Sequence, residues 1–222
     1  MALLETRDLC KSYITAYRDS MVINHVNLQI QKGEFIAIHG ESGSGKTTLL
    51  NLLAGFLEPT GGDVYINNEC ITKMSESQKA MFRRKNVGFI FQSYNLLPEL
   101  TVVENVMLPL LIDGVKKEMA HEAAEKALSY VGLSQYFGNT PEKLSGGQNQ
   151  RVAIARAIVT NPLLIFADEP TGNLDSRNKK EVMKLLKKIN GDNETTILMV
   201  THSLQDQSYA ERTIQVKDGG VK

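Results

Sequence analysis

One octapeptide constrains this chain more than any global property: Gly40-Glu-Ser-Gly-Ser-Gly-Lys46-Thr47. It fits G-x-x-x-x-G-K-[ST], the phosphate-loop pattern. The apolar run Phe35–Ile38 precedes it and a helical pattern over Lys46–Ala54 follows. The motif therefore stands between a strand and a helix start, where its chemistry requires it. Average residue usage would produce such a match in about one chain in a hundred of this length. Gly40, Gly43 and Gly45 let the backbone wrap a polyphosphate with successive N–H groups pointing inward. Lys46 then reaches the β- and γ-phosphates, and the Thr47 hydroxyl ligates Mg²⁺. Ser42, Ser44 and Thr48 complete the binding candidates of this segment. The reading is a nucleoside-triphosphate binder.

A triphosphate site needs a metal ligand, and Leu163-Leu-Ile-Phe-Ala-Asp168-Glu169 supplies one. A buried strand aims Asp168 at the metal, and Glu169, one residue on, is placed as general base for the attacking water. Taken alone, Asp-Glu-Pro also reads as a strand-ending turn. His202 follows the apolar strand Thr196–Val200, at the edge where parallel sheets bind ligands. A γ-phosphate contact is its functional reading; a structural histidine is the alternative.

Short β-type runs alternate with longer helical ones along the chain. Strands are expected at Ala2–Leu9, Met21–Ile30, Glu34–Ile38, Val64–Ile66, Val87–Phe91, Leu163–Ala167, Thr196–Val200 and Arg212–Val216. Helices are expected at Lys46–Ala54, Ser75–Lys85, Thr101–Leu111, Lys116–Val131, Gly146–Thr160, Asn178–Asn190 and Leu204–Ala210. This order predicts an α/β fold with a mainly parallel sheet. The stretch from Gln92 to Leu144 reads as almost all helical, broken at Gly114, and looks inserted into the α/β core. Residues 1–222 are expected to form one domain, with 1–91 and 161–222 as core and 92–160 as a helical subdomain.

Charge and cysteines bound the remaining classes. With 25 Lys+Arg against 25 Asp+Glu, the formal charge is zero, which argues against nucleic acid as the main partner. Cys10 and Cys70 make no disulfide framework and read as reduced thiols of a cytoplasmic protein. The opening residues show no secretion signal. The longest apolar run, Val106–Ile112, is interrupted by Pro109 and falls far short of the roughly 20 residues of a span. Any membrane role is therefore played from outside the bilayer.

A second nest, Leu144-Ser-Gly-Gly-Gln148, opens the helix before the acidic strand, although one triphosphate has no obvious need of it. This pattern resembles the signature of ATP-binding cassette (ABC) ATPases, and the resemblance covers essentially the whole chain. Tyr13 matches the aromatic that stacks on adenine, Gly40–Thr47 Walker A, and Gln92 the Q-loop. Leu144–Gln148 matches the signature, Ile165–Glu169 Walker B, Asn173-Leu-Asp175 the D-loop and His202 the switch histidine. The resemblance implies a P-loop ATPase of ABC type, with an N-terminal antiparallel β subdomain and the helical subdomain inserted. It implies ATP and Mg²⁺, the metal held by Thr47, Gln92 and Asp168, and a catalytic set of Glu169, His202, Gln92 and Lys46. It further implies a homodimer that sandwiches ATP, in which Ser145, Gly146, Gly147 and Gln148 of one subunit cover the γ-phosphate on the other. Tyr13 has an alternative as a strand core residue, Tyr17 is its rival for adenine, and Asp175 reads as an interface residue rather than a ligand.

Phe91–Leu110 and Ala167–Asp175 look like the macrolide-exporter, lipoprotein-release and FtsE-like group. That likeness implies an ATPase on the inner face of the cell membrane, bound to an integral permease near Leu96–Leu111 and serving export or lipoprotein and peptide handling. An FtsE-like regulator that signals across the membrane has the same motifs. A DNA-repair or translation ATPase is the third reading. Against it stand the 52 residues between Gln92 and Ser145, too few for a long coiled coil, and a single cassette.

Overall fold

The computed structural model describes residues 2–14 and 19–222. Strands β1 (Ala2–Ile14) and β2 (Asp19–Gln31) pair antiparallel and lead into β3 (Phe35–His39) and helix α1 (Lys46–Leu53). Then come β4 (Gly61–Ile66), β5 (Glu69–Cys70), α2 (Glu76–Asn86) and β6 (Val87–Ile90). Helices α3 (Val102–Ile112), α4 (Lys117–Tyr130) and α5 (Gly146–Ile158) follow, then β7 (Leu164–Asp168) and α6 (Ser176–Asn193). The chain continues through β8 (Thr196–Val200), α7 (Leu204–Gln207), β9 (Arg212–Lys217) and β10 (Gly220–Val221).

Two sheets result. A four-stranded antiparallel sheet runs β2-β1-β4-β5, and a six-stranded sheet runs β10-β9-β3-β8-β7-β6. In the larger sheet all neighbours are parallel except β10 on β9. Strands β3, β7 and β8 are buried on both faces, which is why they read as nearly unbroken apolar runs. Their alternation divides the core. Phe35, Ala37, Ile165, Ala167, Ile197 and Met199 face α3 to α6. Ile36, Ile38, Leu164, Phe166, Leu198 and Val200 face α1 and the antiparallel sheet. Each strand thus feeds two cores, and a one-residue slip would exchange them.

The expected helices and strands appear with ends shifted by a few residues, and three differences have identifiable causes. β1 runs on to Ile14 because it pairs with both β2 and β4, and β4 begins at Gly61, not Val64. Gly62 sits at φ 80° where a Cβ would lie 2.2 Å from the Asp8 carbonyl, so only glycine lets these strands approach. Residues 92–100, read as helical, form a loop. Buried Asn105 takes its polar groups, accepting from Leu97 N–H and donating to the carbonyls of Leu97 and Leu100. The helix read to Ala210 stops at Gln207, where i→i+3 turns take over. The two-residue strands β5 and β10 are too short to carry a period. No helix among the described residues is long and apolar enough to cross a membrane.

Candidate active site

The carboxyl ends of three adjacent parallel strands converge. β3 delivers the glycine loop, β7 ends in Asp168, and β8 leads to His202. Backbone bonds lock the three ends together: Thr201 N–H donates to Ile38 O and Glu169 N–H to Val200 O, both at 3.0 Å. Between them lies a cavity of about 400 Å³ lined by Val22, Gly40, Ser42, Gly43, Gly45, Lys46, Thr47, Thr48, Glu169 and His202. Ligand crevices form at such strand ends in parallel sheets.

The loop is shaped by glycine where nothing else fits. A Cβ on Gly40 would stand 2.3 Å from Val216 O, and one on Gly45 would stand 2.9 Å from Val22 O, with φ at 155° and 101°. Gly43, at φ 77°, meets nothing within 4 Å and faces open space. Lys46 is 9% exposed, and its ammonium donates to the loop's own carbonyls, Gly40 O at 3.0 Å and Glu41 O at 2.7 Å. Ser44 Oγ is buried with no partner. It borders a second cavity of about 320 Å³ on the outer side of the loop, where Glu41, Lys217 and Asp218 also lie. A lysine turned on its own loop's carbonyls fits a polyphosphate, which would give that ammonium a charged partner.

Across the cavity, Thr47 Oγ1 lies 3.5 Å from Asp168 Oδ1. Burial, and then the adjacent Glu169 charge, push the Asp168 carboxyl above its ordinary range, while Thr47 and Lys46 act in the other direction. Among the described residues no group of three His, Cys, Asp or Glu side chains gathers to hold a metal. Two hard oxygen donors, a hydroxyl and a carboxylate, suit Mg²⁺, which keeps waters and substrate phosphates as its other ligands. Glu169 Oε1 lies 3.2 Å from His202 Nδ1, so the base and switch candidates meet directly. Glu169 sits at φ 46°, a left-handed conformation that costs a β-carbon residue about 1–3 kcal/mol and persists only when its surroundings impose it.

The other expected site residues lie apart from this cavity. Tyr13 is 41% exposed, so it is not a core residue, and Lys11 Nζ sits 5.2 Å over its ring. It pairs across the strands with Ser20, which borders the outer cavity. Tyr17 lies outside the described residues. Gln92 is exposed and packs on Gly172, and its carbonyl accepts from Asn173 Nδ2, so it touches neither Thr47 nor Asp168 here. Asp175 caps α6, accepting from the Asn178 N–H, from the Asn178 side-chain amide and from the Arg177 N–H, which holds its carboxyl below the usual range. Ser145 caps α5 in a reciprocal box with Gln148. None of the residues from Ser145 to Gln148 lines the phosphate cavity of this chain.

Three contributors have no local sequence signal. Val22, on β2, walls the cavity. Gln150, fully buried, donates from Nε2 to Pro170 O at 2.6 Å and so ties the signature helix to the loop after Glu169. Arg156 donates to the carbonyls of Tyr94 at 2.7 Å and Asn95, holding two successive left-handed residues (φ 62° and 50°) after Gln92.

Comparison with known proteins accords with this geometry. Residues 23–172 match the family model described as ABC transporter. The chain is 45% identical over 219 residues to the uncharacterized ABC transporter ATP-binding protein MJ1508 of Methanocaldococcus jannaschii, covering 99% of this chain and 97% of that one. It is 41% identical to the macrolide export ATP-binding/permease protein MacB of Syntrophobacter fumaroxidans, with all of this chain matched but only 31% of that longer protein. Among solved structures, a dimeric post-hydrolysis state of the ATP-binding cassette MJ0796, bound to ADP and Pi, superposes with a TM-score of 0.90 at 39% identity. That match covers 99% of this chain and 96% of the other. A second dimeric structure of MJ0796, a bacterial ABC transporter cassette, gives 0.91 at 40% identity and the same coverage.

Proposed function

The chain belongs to the ABC transporter ATP-binding family and is an ATPase of the cassette type; from that premise we propose that it powers a membrane permease as a homodimer closed around two ATP molecules. The observation that carries this reading is the cavity in which Lys46, Thr47, Glu169 and His202 converge. ATP binding would draw Lys46 from the carbonyls of Gly40 and Glu41 to the β- and γ-phosphates. Thr47 and Asp168 would hold Mg²⁺, which neutralises charge on the β- and γ-phosphates when bound. Glu169 takes a proton from the attacking water as its oxygen bonds to the γ-phosphorus and ADP leaves. His202, already at Glu169, orients the base and contacts the γ-phosphate. Gln92 is assigned as the sensor that reaches the nucleotide and metal when the site fills, and Tyr13 as the ring that stacks on adenine.

Ser145 to Gln148 do not line this chain's own phosphate cavity, so we assign their role to the partner subunit's ATP. In the proposed dimer, closure is work: ATP binds the closed form better, and hydrolysis removes that preference. The permease is placed at an apolar groove of about 320 Å³ between α2, β6 and the loop after Gln92, where Phe56, Phe89, Asn95, Pro109 and Arg156 meet. Phe56 in its lining is half-exposed. The likeness to MacB supports export, with the cassette at the inner face of the membrane.

Affinity purification of the tagged chain from detergent-solubilised membranes of its source tests this. An integral membrane protein recovered in stoichiometric amount is expected, and its loss on Phe56→Asp is the control for the groove. Recovery of no membrane protein, with salt-sensitive capture of ribosomes or DNA instead, would overturn the reading.

A further inference from the structure

Asp206 is 2% exposed, at the centre of α7, and none of the groups above uses it. A buried carboxylate is costly unless hydrogen bonds compensate it, so its partners show what it holds. Thr171 Oγ1 donates to Oδ2 at 2.5 Å, the length of a charge-assisted bond, and Thr201 Oγ1 approaches the same oxygen at 3.4 Å. Thr171 lies two residues after Glu169, and Thr201 immediately precedes His202. The backbone closes the same knot: Ser203 N–H donates to Thr201 Oγ1 at 3.0 Å, and Asp206 N–H to Ser203 Oγ at 3.2 Å.

One carboxylate therefore joins, from behind, the two loops whose side chains meet in front at Glu169 and His202. The left-handed backbone at Glu169 needs such a constraint, because a strained residue keeps its conformation only when neighbours impose it. Gln150 holds the intervening Pro170 from the signature side, which leaves Asp206 as the tie on the switch side. We propose that Asp206 is a positioning residue for hydrolysis, acting through Thr171 and Thr201 to fix the Glu169 carboxylate and the His202 imidazole relative to each other. The proposal rests on the reading of Glu169 as base.

The test compares Asp206→Ala, Asp206→Asn, Thr171→Val and the Thr171→Val/Asp206→Ala double variant, each below its own melting temperature. ATPase kcat and KM are measured beside the affinity for a non-hydrolysable ATP analogue. Asp206→Ala and Thr171→Val should lower kcat by about 10- to 100-fold, the usual cost of a misplaced catalytic group, with analogue affinity unchanged. The double variant should be no worse than Asp206→Ala, since both cut one link. Asp206→Asn keeps an acceptor oxygen and should recover most of kcat. Wild-type kcat in folded Thr171→Val, or analogue binding that falls in step with kcat, overturns the proposal; Thr171→Val decides it even where Asp206→Ala does not fold. Glu169→Gln runs alongside: hydrolysis at the wild-type rate there defeats the base assignment, whereas an inactive Glu169→Gln beside an unaffected Thr171→Val defeats only the positioning role.

Discussion

The two glycine nests, Gly40–Thr47 and Ser145–Gln148, both open helices and share their residue types, yet they are finished in opposite ways. At the first, the helix starts on Gly45 with no side-chain cap, Ser44 Oγ has no partner, and Lys46 is turned onto its own loop. At the second, Ser145 Oγ accepts from Gln148 N–H while Gln148 Oε1 accepts from Ser145 N–H. Its glycines are walled as well, Gly146 by the Tyr94 hydroxyl and Gly147 by Asn178. The first nest holds Lys46 in reserve for a ligand entering its own cavity. The second stands stably without one, and as a helix start its first N–H groups have no partner within the helix. That difference suits the proposed site divided between two subunits, in which one half takes up nucleotide and the other stands preformed.

The largest expected effect concerns the cavity beside the first nest. Glu169→Gln should retain ATP binding, cut hydrolysis by about 10²- to 10⁴-fold, and accumulate an ATP-bound dimer visible by size-exclusion chromatography. Hydrolysis at the wild-type rate would mean that the cavity's base is another group. A mixing experiment then sets one nest against the other. Lys46→Ala lacks a working phosphate loop but keeps its signature, and Ser145→Arg has the reverse defect. Each should be nearly inactive alone, and their mixture should recover activity, because one composite site in a mixed dimer is intact. A mixture that gives only the sum of its parts would place each site within a single chain.

What was legible in the sequence was chemistry carried by consecutive residues. Gly40–Thr47 and Leu163–Glu169 each fix their geometry through local backbone, and the structure places them at the ends of β3 and β7, on either side of β8. The parallel sheet was legible for the same reason: strands buried on both faces leave unbroken apolar runs. Contacts between distant residues were not. Gln150 on Pro170, Asp206 on Thr171 and Arg156 on Tyr94 join residues 20, 35 and 62 positions apart, and in sequence each is an ordinary polar residue. The same blindness made residues 92–100 look helical, since their loop is imposed by Asn105 and Arg156 from elsewhere in the chain. Gln92 and Tyr13 were placed by family pattern, and the described geometry leaves both outside the phosphate cavity.

The smallest effects sharpen the contrast through stability. Ser145→Ala removes a working helix cap and should cost the ligand-free protein about 1 kcal/mol. Asp168→Asn should behave oppositely. Burial and the neighbouring Glu169 raise the Asp168 carboxyl, so the folded state binds a proton that the unfolded state has released, and folding stability falls as pH rises through the carboxylate range. Asparagine lacks that charge. The variant's melting temperature should match wild type at the acidic end of the range and exceed it near neutrality, with the gap opening as pH rises. Mg²⁺ with ATP should reverse the order, because only wild type keeps the carboxylate opposite Thr47 and gains the full binding energy. Thermal melts across pH, with and without Mg²⁺-ATP, check both signs. Parallel curves for Asp168→Asn and wild type would mean that the phosphate nest bears no more unsatisfied charge than the signature nest.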